Sequence, residues 1–74
     1  MTLQYRLVKA QHPSAGWIYG IIGEALDESG SLLQCAVIPD ISPNYSFVSS
    51  VAEKCTAGQL ALEHLLDVVY DSLP

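Results

Sequence analysis

Positive charge is what this sequence has least of. Arg6, Lys9 and Lys54 are its only lysines and arginines, against eight acidic side chains and a formal net charge of −5. The three are scattered along the chain. A phosphate backbone is bound by several cations on one face, so this pattern excludes nucleic acid as a partner. It excludes anionic membrane surfaces for the same reason. Long apolar runs are also missing, and nothing approaches the roughly 18 residues of a membrane span. Met1 to Ala10 lacks the apolar centre of a secretory leader, so a cytoplasmic protein is expected. Asn44-Tyr45-Ser46 fits the glycosylation acceptor pattern, which has no consequence without such a leader.

Side chains that bind metals or act as nucleophiles are equally sparse. The chain has two histidines, His12 and His64, and two cysteines, Cys35 and Cys55, in four different segments. A metal site takes three or four clustered ligands, so neither metal nor cofactor is expected. The cysteines form no Cys-x-x-Cys pair. In a reducing compartment both are expected to be small buried apolar groups. No Gly-x-Ser-x-Gly elbow and no phosphate loop are present. Gly16, Gly20 and Gly23 recur, but no helix follows to complete a dinucleotide-binding turn.

Apolar residues, by contrast, are abundant. They make up 50% of the 74 residues, with only 15% charged. That composition excludes a disordered chain. One domain is expected at this length. So small a domain buries only about 60% of the surface its unfolded chain exposes. The apolar surplus is most simply hidden by self-association.

Periodicity places the elements. Thr2 to Lys9 alternates, with Leu3, Tyr5 and Leu7 on one face and Gln4, Arg6 and Val8 on the other, as in a half-buried strand. Gln11 to Gly16 reads as a loop. Trp17 to Leu26 favours a second strand, with Tyr19 and Ile21 on one face and Ile18, Gly20 and Ile22 on the other. A glycine inside a strand marks a bulge or a close approach, and a large side chain is expected over Gly20. Asp27 to Gly30 is a hairpin loop. Ser31 to Ile38 is the third strand, with Leu33, Cys35 and Val37 on one face. Pro39 is expected to stop the sheet.

Ser42-Pro43 reads as a helix start, with Ser42 as the cap. Phe47, Val48, Val51, Ala52 and Cys55 recur at helical spacing, and the helix should end near Cys55. Thr56 to Gln59 fits either a link between helices or a capping box with the last helix beginning at Ala57; a break is favoured, with the helix starting near Leu60. Leu62, Leu65, Leu66, Val69 and Leu73 then form an apolar stripe. The expected fold is α+β, a three-stranded antiparallel β-meander followed by two α-helices on one face. The other sheet face is left for a second molecule.

Glu63, Asp67 and Asp71 are spaced four apart and form one acidic line on the last helix. Such a line is a solvated face, a docking stripe for a basic protein surface, or is neutralised from within by Arg6 or Lys54. His64 stands three residues before Asp67, within hydrogen-bonding reach on a helix. A catalytic role would require a further partner that the sequence does not supply.

Tyr19-Gly20-Ile21, Ile41-Ser42 and the run His64-Leu65-Leu66-Asp67-Val68-Val69, followed by Asp71 and Leu73, resemble a family of small proteins. That family is known mainly from clostridial Gram-positive bacteria and is carried as a domain of unknown function. The resemblance spans about Leu3 to Leu73. The His-Leu-x-Asp-Val-Val-x-Asp run is its most specific part. Two positions depart from the family pattern: Ala61-Leu62 stands where Ser-Pro is usual, and Ser72 where Phe is usual. The resemblance implies a short bacterial cytoplasmic protein and draws attention to His64, Asp67 and Asp71.

The expectation is a non-enzymatic protein-interaction module that forms a homo-oligomer, with Tyr19, Gly20, Glu63, His64, Asp67 and Asp71 as candidate binding residues. The rival is a small-ligand-binding or catalytic domain with its site near Gly20 and His64. That rival requires a concave pocket in which polar groups converge.

Overall fold

Three strands of eleven residues each open the chain: β1 (Thr2–His12), β2 (Gly16–Leu26) and β3 (Leu32–Ser42). They come from a computed structural model that describes residues 1–14 and 16–73. Ala15, in the expected first loop, and Pro74 lie outside the described residues. The strands form one antiparallel sheet in the order β1-β2-β3. The hairpin between β2 and β3 is closed by Asp27, whose Oδ1 accepts from the backbone N–H groups of Ser29 and Ser31 and from the Ser29 hydroxyl. Gly30 takes the left-handed conformation that the turn requires, at φ 87°.

Helix α1 covers Tyr45–Ala57. Its cap is Asn44, whose Oδ1 accepts from the Phe47 N–H at 3.1 Å. The expected cap, Ser42, is instead the last residue of β3, and its hydroxyl accepts from the Asn44 N–H. A 3₁₀ turn at Leu62–His64 leads into α2, Leu65–Ser72. The last helix is therefore shorter than the expected span from Leu60. Together the elements make an α+β fold, three antiparallel strands in an open sheet followed by two helices.

The helices cover one face. Leu3, Tyr5, Ile21 and Ala25 of the sheet meet Val48, Val51, Ala52 and Cys55 of α1 and Leu65 and Val69 of α2. Ile21, Val48 and Leu65 are fully buried, and each contributes about 1.5–3 kcal/mol relative to an exposed position. Of the expected α2 stripe, Leu65 and Val69 reach the core while Leu66 and Leu73 are exposed. Val68 packs against the core as well. On a helix this short, apolar residues on every side outnumber what one contact face accommodates.

The sheet runs past Pro39 because β3 is an edge strand, where a missing N–H on the outer side costs no ladder bond. Opposite Gly20 the strand bulges, and the register jumps from Ile21↔Ile38 to Tyr19↔Ser42. A side chain on Gly20 would strike the carbonyl groups of Ile38 and Pro39. The close approach at Gly20 is thus one of backbone, not of the large side chain expected there. That packing occurs three residues on: a Cβ at Gly23 would lie 2.6 Å from the Tyr5 ring and 2.7 Å from a Leu62 methyl.

Candidate functional site

The two edges of the sheet are finished differently. On β1, Leu3 and Tyr5 turn their backbone groups away from β2 and toward the end of α1. The Gln59 amide accepts from the Leu3 N–H at 2.9 Å and donates to the Leu3 carbonyl at 2.8 Å. The Thr56 hydroxyl accepts from the Tyr5 N–H at 3.0 Å and lies 3.2 Å from the Tyr5 carbonyl. Two side chains therefore stand in for the strand that β1 lacks on this side.

The local sequence makes this possible. Ala57 ends the helix with Gly58 as its cap. The Gln59 N–H then bonds to the Thr56 carbonyl and the Leu60 N–H to the Cys55 carbonyl. That is the reciprocal pattern of a Schellman ending, in which the residue after the cap takes the left-handed conformation and is usually glycine. Here it is Gln59, at φ 47°. Neither a capping box nor a plain link describes Thr56–Gln59. Both polar side chains hold the edge of β1.

No such cover stands over the described part of β3. Its ladder can be followed across the sheet, because bonded and non-bonded pairs alternate in an antiparallel sheet. Leu3 and Tyr5 face outward, so Gln4 and Arg6 bond to their partners Glu24 and Ile22. Gly23 and Ala25 then face β3 and bond to Ala36 and Gln34. It follows that Cys35 and Val37 direct their N–H and C=O groups to the free edge.

The sheet face away from the helices is also open. Val8, Ile18 and Ile22 are half-buried there, and Cys35 and Val37 are exposed; beyond Gln34 a second register shift, from Ala25↔Gln34 to Leu26↔Leu32, interrupts the alternation at Leu33. Val37 retains 51% of its accessible surface. Arg6 and Glu24 form an ion pair at 2.9 Å on this face. Cys35 thus departs from the expectation that both cysteines are buried; Cys55 alone lies in the core. Burial pushes the Cys55 thiol upward in pKa. It also raises the Tyr5 phenol, with Cys55 adding to the effect. The Tyr5 hydroxyl donates to the Leu60 carbonyl.

The candidate binding residues do not converge. Tyr19 is half-buried and meets the Tyr45 ring edge-on, with centroids 5.4 Å apart. Gly20 is next to it, buried under the β3 bulge. Glu63 and His64 are exposed in the 3₁₀ turn, and the His64 Nε2 lies 3.9 Å from the Glu63 carboxylate. Asp67 and Asp71 are exposed on α2. Glu63 precedes α2, so only Asp67 and Asp71 share an α-helical face. Arg6 is held by Glu24 and not by this line.

A cleft of about 380 Å³ opens between the 3₁₀ turn and the end of the sheet. Leu3, Ala25, Ala36 and Leu62 supply apolar walls, and Gln34 and Glu63 polar groups. Of the candidate residues only Glu63 belongs to it. Tyr19 is six residues from Ala25 on β2, about 20 Å along the strand. Among the described residues no three His, Cys, Asp or Glu side chains cluster as metal ligands do, and no helix is long and apolar enough to cross a membrane.

Sequence reasoning missed the exposed apolar side of α2, where Leu66, Tyr70 and Leu73 lie in the open. Their spacing of four and three was the available signal.

These features define a small α+β protein with an open meander, helices on one sheet face, one sealed edge and one free edge. The chain belongs to a family of unknown function, DUF6514, whose model matches residues 1–74. No curated protein and no solved structure matches it.

Proposed function

We propose that this chain is a small protein-interaction module without catalytic activity, that it self-associates, and that it works in the cytoplasm of a Gram-positive bacterium. The observation that carries the reading is the sheet face opposite the helices. Val8, Ile18, Ile22 and Val37 give it an apolar surface that its own helices do not cover. Exposed apolar areas of this kind mark contact surfaces. Asp67 and Asp71, exposed beside Leu66 and Tyr70 on α2, add a negative rim suited to a basic protein surface. The compartment rests on the resemblance of the His64–Asp71 run to the clostridial proteins.

Light scattering behind size exclusion tests the self-association. A mass above the 8.0 kDa of the single chain is expected at tens of micromolar. A clean single-chain mass would remove the reading.

A further inference from the structure

We infer that Trp17, Tyr19 and Tyr45 form a docking surface for a proline-rich segment of another protein, bound as a polyproline II helix. This gives the interaction module a second surface and does not depend on self-association.

The pairing of β1 with β2 brings the rings together. It runs without a register shift from Thr2↔Leu26 to His12↔Gly16. Alternation therefore carries the helix-side face of β2 from Ile21 through Tyr19 to Trp17. On β1 the same face continues from Tyr5 through Leu7 to Lys9. Lys9 stands opposite Tyr19 and diagonal to Trp17, and its ammonium lies 4.8 Å from the centre of the Trp17 ring. The start of α1 supplies the third ring, since Tyr45 meets Tyr19 edge-on.

Tyr19 is the floor of this patch, half-buried and packed against the core. Trp17 and Tyr45 adjoin it and remain 49% and 57% exposed. The last pairing of β3 with β2 is Tyr19↔Ser42, so Trp17 lies beyond the end of that ladder. Tryptophan and tyrosine are the side chains that most often dominate the energy of a protein contact.

The chemistry around the rings selects the occupant. Lys9 already holds a positive charge against the indole, which disfavours a cationic ligand, the usual guest of an aromatic cage. One lysine on a chain of net charge −5 does not hold a phosphate backbone. The Lys9 ammonium and the Trp17 indole N–H donate hydrogen bonds and accept none. The partner that fits combines apolar rings with hydrogen-bond acceptors. A proline-rich helix has that composition, because its carbonyls make no internal hydrogen bonds and its prolines carry no N–H. Aromatic-lined surfaces dock such helices, whose conformation is set before binding. A second copy of this chain does not supply one. Its prolines are Pro13, Pro39, Pro43 and Pro74, and no two are as close as a Pro-x-x-Pro spacing.

Trp17 is the only tryptophan, so its fluorescence reports on the patch directly. The full chain is titrated with capped decaproline. A saturable blue shift is expected, with none from a glycine–serine decapeptide. Amide resonances of Lys9, Tyr19 and Tyr45 should move in the same titration while those of α2 stay in place. Tyr45→Ala should weaken binding about tenfold, and Tyr45→Phe, which keeps the ring, should bind as the native chain does. Tyr70→Ala removes an exposed tyrosine of α2 and should leave binding unchanged. Circular dichroism reports that each variant folds, and the arms on the native chain stand without them. Absence of saturation at millimolar peptide overturns the proposal. So does an equal response to the glycine–serine peptide, or a saturable response to a neutral oligosaccharide in place of decaproline. Light scattering of the same samples reads self-association separately, so either reading can fail without the other.

Discussion

The side-chain amide of Gln59 lies across the backbone of Leu3 as a neighbouring strand would, accepting its N–H at 2.9 Å and donating to its carbonyl at 2.8 Å. The second N–H of that amide reaches the Thr56 carbonyl at 2.9 Å. One side chain thereby ties the end of α1 to the outer edge of the sheet. It does so from a left-handed backbone, φ 47°, that favours glycine.

Two opposed effects meet at this position, and a pair of substitutions separates them. Gln59→Ala loses the amide and keeps the unfavourable backbone, so it should destabilise by about 1–2 kcal/mol in urea unfolding. Gln59→Gly also loses the amide but relaxes the backbone, and should cost less than Gln59→Ala. In both, the Leu3 amide should exchange with solvent faster. Unchanged Leu3 protection would mean that the amide does not seal the edge.

The glycines of β2 should rank in a definite order. At Gly20 an added side chain meets main-chain carbonyls of a bulge, which move only with the strand. Gly20→Val should therefore destabilise by about 1–3 kcal/mol. At Gly23 the obstacles are side-chain atoms, the Tyr5 ring at 2.6 Å and the end of Leu62 at 2.7 Å, which can move without the strand. Gly23→Ala should cost about 1 kcal/mol, nearer the lower end. Thermal unfolding of both variants checks the order, and the reverse ranking would contradict the backbone origin of the Gly20 constraint.

Both results bear on how far the chain could be read in advance. Alternation in Thr2 to Lys9 and in Ser31 to Ile38 locates the strands and the face that Leu3, Tyr5 and Ile21 bury, but not their ends: β1 runs on through Gln11 and His12 of the expected loop, and β3 on to Ser42. The turn at Asp27–Gly30 was legible because acid, serine and glycine each have a local reason to be there. The failures are non-local. Whether Gly20 faces a side chain or a carbonyl depends on a bulge in β3, two segments away. Thr56 and Gln59 are polar residues near a helix end, and nothing nearby in sequence reveals that their partners are Tyr5 and Leu3, more than fifty positions earlier. Ser42-Pro43 carried a good local helix-start signal, but Asn44 offered an equally good cap two residues later and the strand claimed Ser42. The candidate site was the least legible part. Tyr19, His64 and Asp67 were grouped by chemistry, and the strand length keeps Tyr19 well away from the 3₁₀ turn.

Ionisation of Tyr5 should be shifted upward. Its phenol is held above the ordinary value of about 10 by burial first and Cys55 second. In an ultraviolet titration its ionisation should come above that ordinary value. The folded state favours the neutral phenol, so this contribution to stability is complete below the unfolded value. It is lost as pH rises from there through the raised folded value. Tyr5→Phe should show a smaller alkaline loss of stability; an identical alkaline profile would contradict the assignment.

Acid should act on the hairpin. The Ser29 hydroxyl, followed by backbone N–H groups of Ser31, Ser29 and Gly30, holds the Asp27 carboxylate below its ordinary range. A depressed carboxylate stabilises the fold above its unfolded value, and the effect is lost as pH falls through the folded one. The Ser29 and Ser31 amide resonances should therefore shift together below the ordinary aspartate range, and Asp27→Asn should remove that coupled shift. Resonances indifferent to pH in the native chain would refute the turn assignment.

The acids of α2 should be dispensable for folding. Asp71 sits toward the negative end of the helix dipole and four residues from Asp67, each arrangement unfavourable by a few tenths of a kcal/mol. Replacing both by Asn should leave the melting temperature unchanged or slightly raised. A clear loss of stability would mean that the pair holds the fold and is not reserved for a partner.

The claim that the rest depends on is that Ile22 and Val37, paired on the open sheet face, are hidden by another molecule and not by their own chain. Carbene footprinting across a concentration series reads this directly. Labelling of both side chains should fall as concentration rises and the single chain gives way to a larger species, while labelling of the exposed Met1 stays constant. Equal labelling of Ile22 and Val37 at every concentration would contradict this reading of the sheet face.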